Sequence, residues 1–202
     1  MSNCNSYHHG DLRNALIIAA VKLIQESGSS DFSMSEAAKL AGVSAAAPYR
    51  HFADRKALLS AVAELYFIGL AEAVQSTRDA YPSGSRESVL ALGHCYVRYL
   101  SERPAFYNLI WNQGGEASQG RRDVEQRPGF LSFVGAVGDW CRQRELNDCD
   151  PLELAVKLWS MAHGLSVLKM NGQLDSYIPD ADAQALLSSS AGAFLDGVEA
   201  TR

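Results

Sequence analysis

The chain has 202 residues, of which 47% are hydrophobic and 20% charged, with a formal net charge of −5. This is the composition of an ordinary soluble protein, long enough for one large domain or two small ones with a buried core. No apolar run approaches the roughly 20 residues of a membrane helix, and the N-terminus lacks the pattern of a signal peptide, so we expect a cytoplasmic protein without a membrane partner.

The charges are unevenly distributed along the chain. Residues 1–60 contain six Lys/Arg and five Asp/Glu, whereas residues 61–202 contain twelve and eighteen. An acidic protein can still bind a polyanion through a locally non-negative end. The N-terminal quarter is therefore the place to look for such a contact.

The four cysteines are scattered and form no C-x-x-C pair. Reduced thiols are therefore expected, and neither a disulfide framework nor a zinc ribbon. Cys4, His8 and His9 are metal-binding residue types, but a tail that happens to contain them is the favoured interpretation. We expect no metal and no cofactor.

Helical signals begin near the N-terminus. Apolar residues at helical spacing run from Asp11 to Gly28 and predict a first helix. Ser33 is a good N-cap for a second, short helix, with Glu36 three residues later where a capping box places it. Gly42 then supplies the positive φ of a tight turn.

A third short helix is predicted from Ser44 to about Phe52, and Pro48 is its fourth helical residue. Proline at that position removes the first intrahelical hydrogen bond, which costs less than in mid-helix, so we expect the helix to survive. Asp54 opens a much longer helix that runs to about Tyr81.

The remainder of the chain is also predicted to be helical. We expect helices over about 85–101, 104–112 and 124–144, the last with a kink near Pro128-Gly129, and a loop through residues 114–120. Asp150, with proline following it, is a strong start signal for a helix that ends at Asn171-Gly172. A last helix fills residues 180–200. No alternating strand pattern competes, so the fold class is all-α.

Two short helices joined by a turn at Ala41-Gly42-Val43 fit the helix-turn-helix, which places its second helix in the major groove of DNA. The segment is similar to the signature of the TetR (tetracycline-repressor) family of bacterial regulators. The matching positions are Ser33, Ala41 to Ser44, Tyr49, His51-Phe52, Arg55 and Leu58. The match is close over residues 10–65 and elsewhere depends on length and all-helical architecture.

The resemblance implies a helix-turn-helix DNA-binding domain over residues 8–55 and a helical effector-binding and dimerisation domain over residues 56–202. It places Tyr49 and Arg55 against phosphates. The full set of DNA-binding candidates is Arg13, Ser33, Ser44, Ala45, Ala46, Tyr49, Arg50, His51, Arg55 and Lys56. The short alanines allow a close approach to the groove and contact with thymine methyl groups, whereas Arg50 is suited to guanine or to phosphate.

The C-terminal part contains aromatic residues and histidines of the kind that line small-molecule sites, although any helical core contains them too. The pocket candidates are His94, Tyr99, Tyr107, Trp111, Trp140, Trp159 and His163. Trp159 and His163-Gly164 resemble a Trp…His-Gly pattern found in one subset of the family. The helix opened by Asp150 is apolar on two faces, which predicts burial on both.

The resemblance also implies a homodimer formed by the last two long helices. Its interface candidates are Leu165, Leu187, Ala193 and Phe194. The expected function is therefore a transcriptional regulator, a repressor, that an unknown small-molecule effector releases from a pseudo-palindromic double-stranded operator. One alternative is a helical adaptor that has lost DNA reading. The other is an uncharacterised helical enzyme, although the chain has none of the common catalytic motifs.

Overall fold

The computed structural model describes residues 12–111 and 128–201, and every regular element in these two ranges is a helix. The all-α prediction is confirmed. In chain order the elements are α1 (Leu12–Ser27), α2 (Met34–Leu40), a 3₁₀ helix (Ala47–Arg50), α3 (Arg55–Asp79), α4 (Arg86–Ser101), α5 (Pro104–Trp111), α6 (Pro128–Gln143), α7 (Pro151–Met170), α8 (Gln173–Tyr177) and α9 (Ala183–Ala200).

Some of the predictions fall on residues outside these ranges. They concern the tail with Cys4, His8 and His9, the Asp11 start of the first helix, the loop at 114–120 and the beginning of the helix predicted from residue 124. Within the described ranges, no group of three or more His, Cys, Asp or Glu side chains is arranged to hold a metal ion.

The helix starts follow from local hydrogen bonds that the sequence predicts. Ser33, Ser85 and Asp150 each accept a hydrogen bond from a backbone N–H of the first helical turn. Such bonds satisfy donors that have no partner inside the helix. The short helix α8 was not predicted, and α9 begins at Ala183 with Asp182 as its N-cap rather than near residue 180.

The described residues form two compact units, and α3 contributes to both. The first unit contains residues 12–66 and 104–111, and the second contains residues 67–103 and 128–201. The first has a core of buried side chains from α1, the connection between α1 and α2, α2, the residues after α2 and the start of α3: Leu16, Ile17, Ala20, Ile24, Phe32, Ala37, Pro48, Phe52, Leu58 and Val62. Here α1 packs on α2 and on α5.

In the second unit, α4, α6, α7 and α9 pack around a common core, and α8 packs on α7. The largest side chain in that core is Trp140, which is fully buried. At the edge of this unit, Arg78 of α3 donates to the Asp139 carboxylate of α6 at 2.8 Å. That half-buried ion pair attaches the end of α3 to α6.

Of the described residues, only α3 has the length and hydropathy of a membrane-spanning helix. Its most apolar window has a mean hydropathy of 1.7, and 39% of that window is buried. One helix of this kind is weak evidence for a membrane, because core helices of soluble proteins meet the same measure.

Candidate nucleic-acid interface and ligand site

The turn after α2 has the geometry that the sequence predicts. Gly42 has a φ of +73°, and the Val43 amide donates to the Ala38 carbonyl at 3.0 Å. At the other end of α2, the Ser33 backbone N–H donates to the Glu36 carboxylate at 2.7 Å, and the Ser33 hydroxyl accepts from the Glu36 amide at 3.2 Å. This capping box fixes the start of α2, and its hydrogen bonds lower the pKa of Glu36.

The predicted α-helix from Ser44 to Phe52 does not form, and that prediction is wrong. The Ser44 carbonyl accepts from the Ala47 amide at 2.9 Å, which makes a turn, and a 3₁₀ helix follows over Ala47–Arg50. The N-cap residue of this 3₁₀ helix is Ala46, not Ser44, and no side chain caps it. In an α-helix the residue-48 amide would donate to the Ser44 carbonyl, and proline has no N–H to give.

Pro48 instead anchors residues 44–50, which we call the 44–50 segment. Its ring is fully buried, and its carbonyl accepts from the amides of His51 and Phe52 at 2.9 and 3.0 Å. Phe52 is also buried, at 4% exposure. With the ring turned into the core, the opposite side of the segment faces outward and exposes Ser44, Ala45, Ala46, Tyr49 and Arg50.

Three further DNA-binding candidates lie outside this segment. Arg13 is exposed, and its guanidinium lies 5.3 Å from the centre of the Phe52 ring. Lys56 is exposed in the first turn of α3, whereas His51 is half-buried. Arg13 and Lys56 therefore offer positive charge to the surface of the first unit.

Arg55 lies in a different environment from Lys56. Its guanidinium donates to the Ser30 carbonyl, lies 3.6 Å from the Asp31 carboxylate and stacks 5.6 Å from the centre of the Phe32 ring. Only 36% of the side chain is exposed. Arg55 therefore ties the start of α3 to the connection between α1 and α2, a role that the sequence did not indicate.

In the second unit, aromatic side chains from three helices form a cluster. Trp159 and His163 lie one turn apart on α7, with ring centres 5.2 Å from each other. Tyr96 of α4 and Phe130 of α6 contact Trp159 edge-on at 6.5 and 5.9 Å, and Phe133 lies next to Phe130. We call Tyr96, Phe130, Phe133, Trp159 and His163 the aromatic cluster.

The aromatic cluster contains one titratable base. The Tyr96 hydroxyl and Nδ1 of His163 are 2.9 Å apart, within hydrogen-bond distance. Burial lowers the pKa of His163, because an apolar environment disfavours the charged imidazolium. At neutral pH the cluster therefore presents a neutral imidazole next to a phenol.

His94 does not belong to the aromatic cluster. Its Nε2 lies 2.8 Å from the Ser188 hydroxyl of α9, and that hydroxyl donates to the Gln184 carbonyl at 3.0 Å. Because the serine proton is used in the second bond, Nε2 of His94 is the donor in the first. His94 therefore links α4 to α9.

The other pocket candidates separate into three environments. Trp140 is fully buried in the core of the second unit, with the Arg144 guanidinium 5.1 Å from its ring, and its place in a pocket stays a prediction. Tyr107 and Trp111 stack at 6.3 Å on α5, in the first unit. Tyr99 lies in the second unit, and Arg103 covers its ring at 4.2 Å.

Tyr99 also lines a cleft of about 380 Å³ that the sequence did not reveal. The cleft has a charged rim because two arginines and two glutamates contribute to it. Burial raises the pKa of the Tyr99 phenol. The lining residues are Gly69, Glu72, Ala73, Cys95, Arg98, Tyr99, Glu102 and Arg103. They come from α3, from α4 and from the residues after α4, a combination that no local pattern marks.

The dimer-interface candidates also differ in exposure. Leu187 is 2% exposed in the core of its own chain, and its contact with a partner stays a prediction. Leu165 and Phe194 are half-buried, and Ala193 is exposed. The burial predicted for both faces of α7 is incomplete in the single chain, since Leu152 is 43% exposed and Val156 is 42% exposed.

Comparison with known proteins gives two sequence-family matches. Residues 16–62 match the model of the bacterial regulatory proteins of the tetR family. Residues 89–190 match the model of a tetracyclin repressor-like C-terminal domain. Together they cover most of the chain. Comparison with curated proteins finds no match.

Solved structures with the same fold cover nearly the whole chain. A Rhodococcus sp. RHA1 protein of unknown function is 29% identical, with a TM-score of 0.80 over 96% of this chain and 98% of that one. A TetR/AcrR-family transcriptional regulator from Thermobifida fusca is 20% identical, with a TM-score of 0.66 over 93% and 98%. A TetR-family transcriptional regulator from Thermus thermophilus is 18% identical, with a TM-score of 0.60 over 88% and 94%.

Proposed function

Because this chain belongs to the TetR family of DNA-binding transcriptional regulators, we propose that it is a homodimeric repressor that a small-molecule effector releases from a pseudo-palindromic operator. Regulators of this family are generally non-enzymatic, and we propose no catalytic activity for this chain. We also propose that it acts in the cytoplasm, as is typical of the family.

The observation that carries the DNA-binding part is the outward-facing 44–50 segment, anchored by buried Pro48 immediately after the turn at Gly42. A helix-turn-helix inserts this part of its structure into the major groove. Tyr49, which is 58% exposed, is available to a phosphate, and Arg50 is available to a guanine or a phosphate.

Positively charged residues before and after the segment in the sequence support its role in DNA binding. Exposed Lys56 and Arg13 are suited to the flanking backbone, where positive charge binds phosphates without reading sequence. The hydroxyls of Ser33 and Ser44 are exposed as well, although Ser33 already bonds to Glu36. We assign Arg55 a smaller share in DNA contact, because its guanidinium already contacts Ser30, Asp31 and Phe32.

For the dimer, we propose that α7 and α9 pair with their copies around a two-fold axis. The exposed apolar and small residues on these helices include Leu152, Val156 and Ala193, and half-buried Leu165 and Phe194 lie on the same two helices. A two-fold dimer presents two 44–50 segments to half-sites about one helical turn, ~34–36 Å, apart or a multiple of that.

For the effector, we propose the aromatic cluster as the binding site. A group of aromatic side chains with one phenol and one neutral imidazole provides a mostly apolar surface with few polar atoms, as small-molecule sites do. The long helix α3 has residues in both units, so we propose that it couples effector binding to DNA release.

The experiment that tests this function starts from a random library of DNA duplexes. Duplexes that the full-length protein retains are enriched and sequenced, and fluorescence anisotropy compares the enriched duplex with a scrambled one over a salt series. We expect an inverted repeat to be enriched and bound at least about a thousandfold more tightly than the scrambled duplex, with affinity falling as salt rises. Equal affinity for both duplexes would instead favour the adaptor alternative.

A further inference from the structure

We propose that this regulator recognises thymine in each operator half-site through the side-chain methyl groups of Ala45 and Ala46. This inference depends on the proposed function, because it requires the 44–50 segment to enter the major groove. It specifies which chemical group of the DNA the segment reads: an apolar methyl rather than a hydrogen-bonding base edge.

The middle of the 44–50 segment consists of alanines, which have no polar side-chain atoms. Ala45 and Ala46 are exposed, and Ala47 beside them is half-buried. An alanine side chain neither donates nor accepts a hydrogen bond, so these positions discriminate between bases only through shape and apolar contact. The polar side chains of the segment are those of Ser44 before the alanines and of Tyr49 and Arg50 after them.

The backbone that carries the two methyl groups is anchored by a buried ring and by a hydrogen bond. Pro48 is fully buried two residues after Ala46, and the Ala47 amide closes a turn onto the Ser44 carbonyl. Dispersion and apolar burial decay over a fraction of an ångström, so a methyl contact needs this kind of fixed backbone. Short side chains also let the backbone come nearer to the base edges than longer ones would.

Thymine is the base that offers a matching group. In the major groove each base pair displays a distinct pattern, and the C5 methyl of thymine is its apolar feature. Cytosine lacks this methyl and presents an amino donor, which two alanines leave without a partner. The segment therefore favours thymine over cytosine at the base pairs that the alanines contact. Arg50 remains available for guanine or phosphate.

The test removes the methyl group from the DNA and from the protein in turn. The enriched duplex is synthesised unmodified and in a series of versions, each with deoxyuridine in place of one half-site thymine. That replacement deletes only the C5 methyl. Anisotropy then gives the affinity of the wild type, Ala45→Gly and Ala46→Gly for each duplex. Ala53→Gly is the matched control, because Ala53 is exposed but lies outside the 44–50 segment.

We expect deoxyuridine at one or two positions of each half-site to weaken wild-type binding by about fourfold per methyl removed. The glycine variant that lacks the contacting methyl should lose much less affinity on the same replacement. Ala53→Gly should lose as much affinity as the wild type. Comparing the two duplexes within each variant cancels any effect of glycine on the flexibility of the segment.

Three results are distinguishable. If no duplex is enriched, the proposed function fails together with this inference. If a duplex is enriched but deoxyuridine binds as tightly as thymine at every position, the function stands and methyl recognition is overturned. If deoxyuridine weakens binding equally in the wild type and in both glycine variants, thymine is read by another residue. Since the comparison of duplexes needs only the wild type, it can overturn methyl recognition even if a variant does not fold.

Discussion

The hydroxyl of Tyr96 on α4 and Nδ1 of His163 on α7 lie 2.9 Å apart and join two helices inside the aromatic cluster. Burial lowers the pKa of His163, so the folded chain binds a proton at this site less readily than the unfolded chain does. When the unfolded state binds more protons, stability falls as the pH falls. The loss begins near the ordinary histidine pKa of about 6.5 and continues down to the lower pKa of the folded state.

The first prediction concerns this pH dependence. The melting temperature of the wild type should decrease as the pH is lowered from about 7.5 to about 5.5, and His163→Gln should flatten part of that slope. Thermal unfolding followed by circular dichroism at several pH values measures both. His94→Gln is the comparison, since His94 bonds to Ser188 outside the aromatic cluster. An identical slope in the wild type and His163→Gln would show that His163 does not contribute to the pH dependence of stability.

The second prediction concerns Arg55, whose guanidinium binds the Ser30 carbonyl and lies over Phe32. Arg55→Lys keeps the charge but loses the planar fork and the stacking. Because the side chain is partly exposed, we expect a loss of only about 1 kcal/mol, or about 2–4 °C in melting temperature. Lys56→Ala should leave the melting temperature almost unchanged.

The salt dependence of DNA binding separates the two possible roles of Arg55. A structural contact leaves the slope of log affinity against log salt unchanged in Arg55→Ala, whereas a lost phosphate contact reduces its magnitude by about one. An unchanged melting temperature with a reduced slope would show that Arg55 binds phosphate after all.

The third prediction concerns exposed Lys56 in the first turn of α3. Lys56→Ala should weaken binding to the enriched and scrambled duplexes by similar factors and reduce the salt slope by about one, because a phosphate contact carries no sequence information. Lys22→Ala is the matched control, since Lys22 is an exposed lysine of α1 that is not among the DNA-binding candidates. A loss restricted to the enriched duplex would mean that Lys56 reads bases.

The fourth prediction concerns Ala193, which is exposed on α9. Near a two-fold axis, Ala193→Glu brings two carboxylates towards each other, and like charges at an interface cost several kcal/mol. The dimer dissociation constant should rise by at least about tenfold, as measured by analytical ultracentrifugation. Ala80→Glu, which adds the same charge at an exposed position after α3, should leave the dimer intact. Equal effects of the two variants would exclude α9 from the interface.

Local hydrogen-bonding rules allowed most of the helix starts to be predicted from the sequence. The side chains of Ser33 and Asp150 bond to amides two or three residues away, so their effect depends on neighbours in the chain. Helical spacing was sufficient to place Trp159 and His163 on one side of α7, because residues four apart are neighbours on a helix. The resemblance over residues 10–65 also identified the family correctly.

Pro48 is the position at which the prediction from local rules is wrong. Losing one hydrogen bond near a helix start has a small cost, so an α-helix was expected there. The structure has a turn and a 3₁₀ helix, with the proline ring fully buried. Burial of the ring is a contact with residues elsewhere in the chain, and it determines which side of the 44–50 segment faces outward.

By itself, then, the sequence determined the all-α class, the positions of the main caps and the family, because these depend on nearest neighbours and on a fixed spacing within one stretch. Only the tertiary structure decided which side chains are available at the surface. It turned Arg55 towards Ser30, 25 residues away, buried Trp140 and Leu187 in the core and left Ala45 and Ala46 exposed. The physical reason is that burial and long-range contacts depend on which helices pack together, and residue type alone does not specify that.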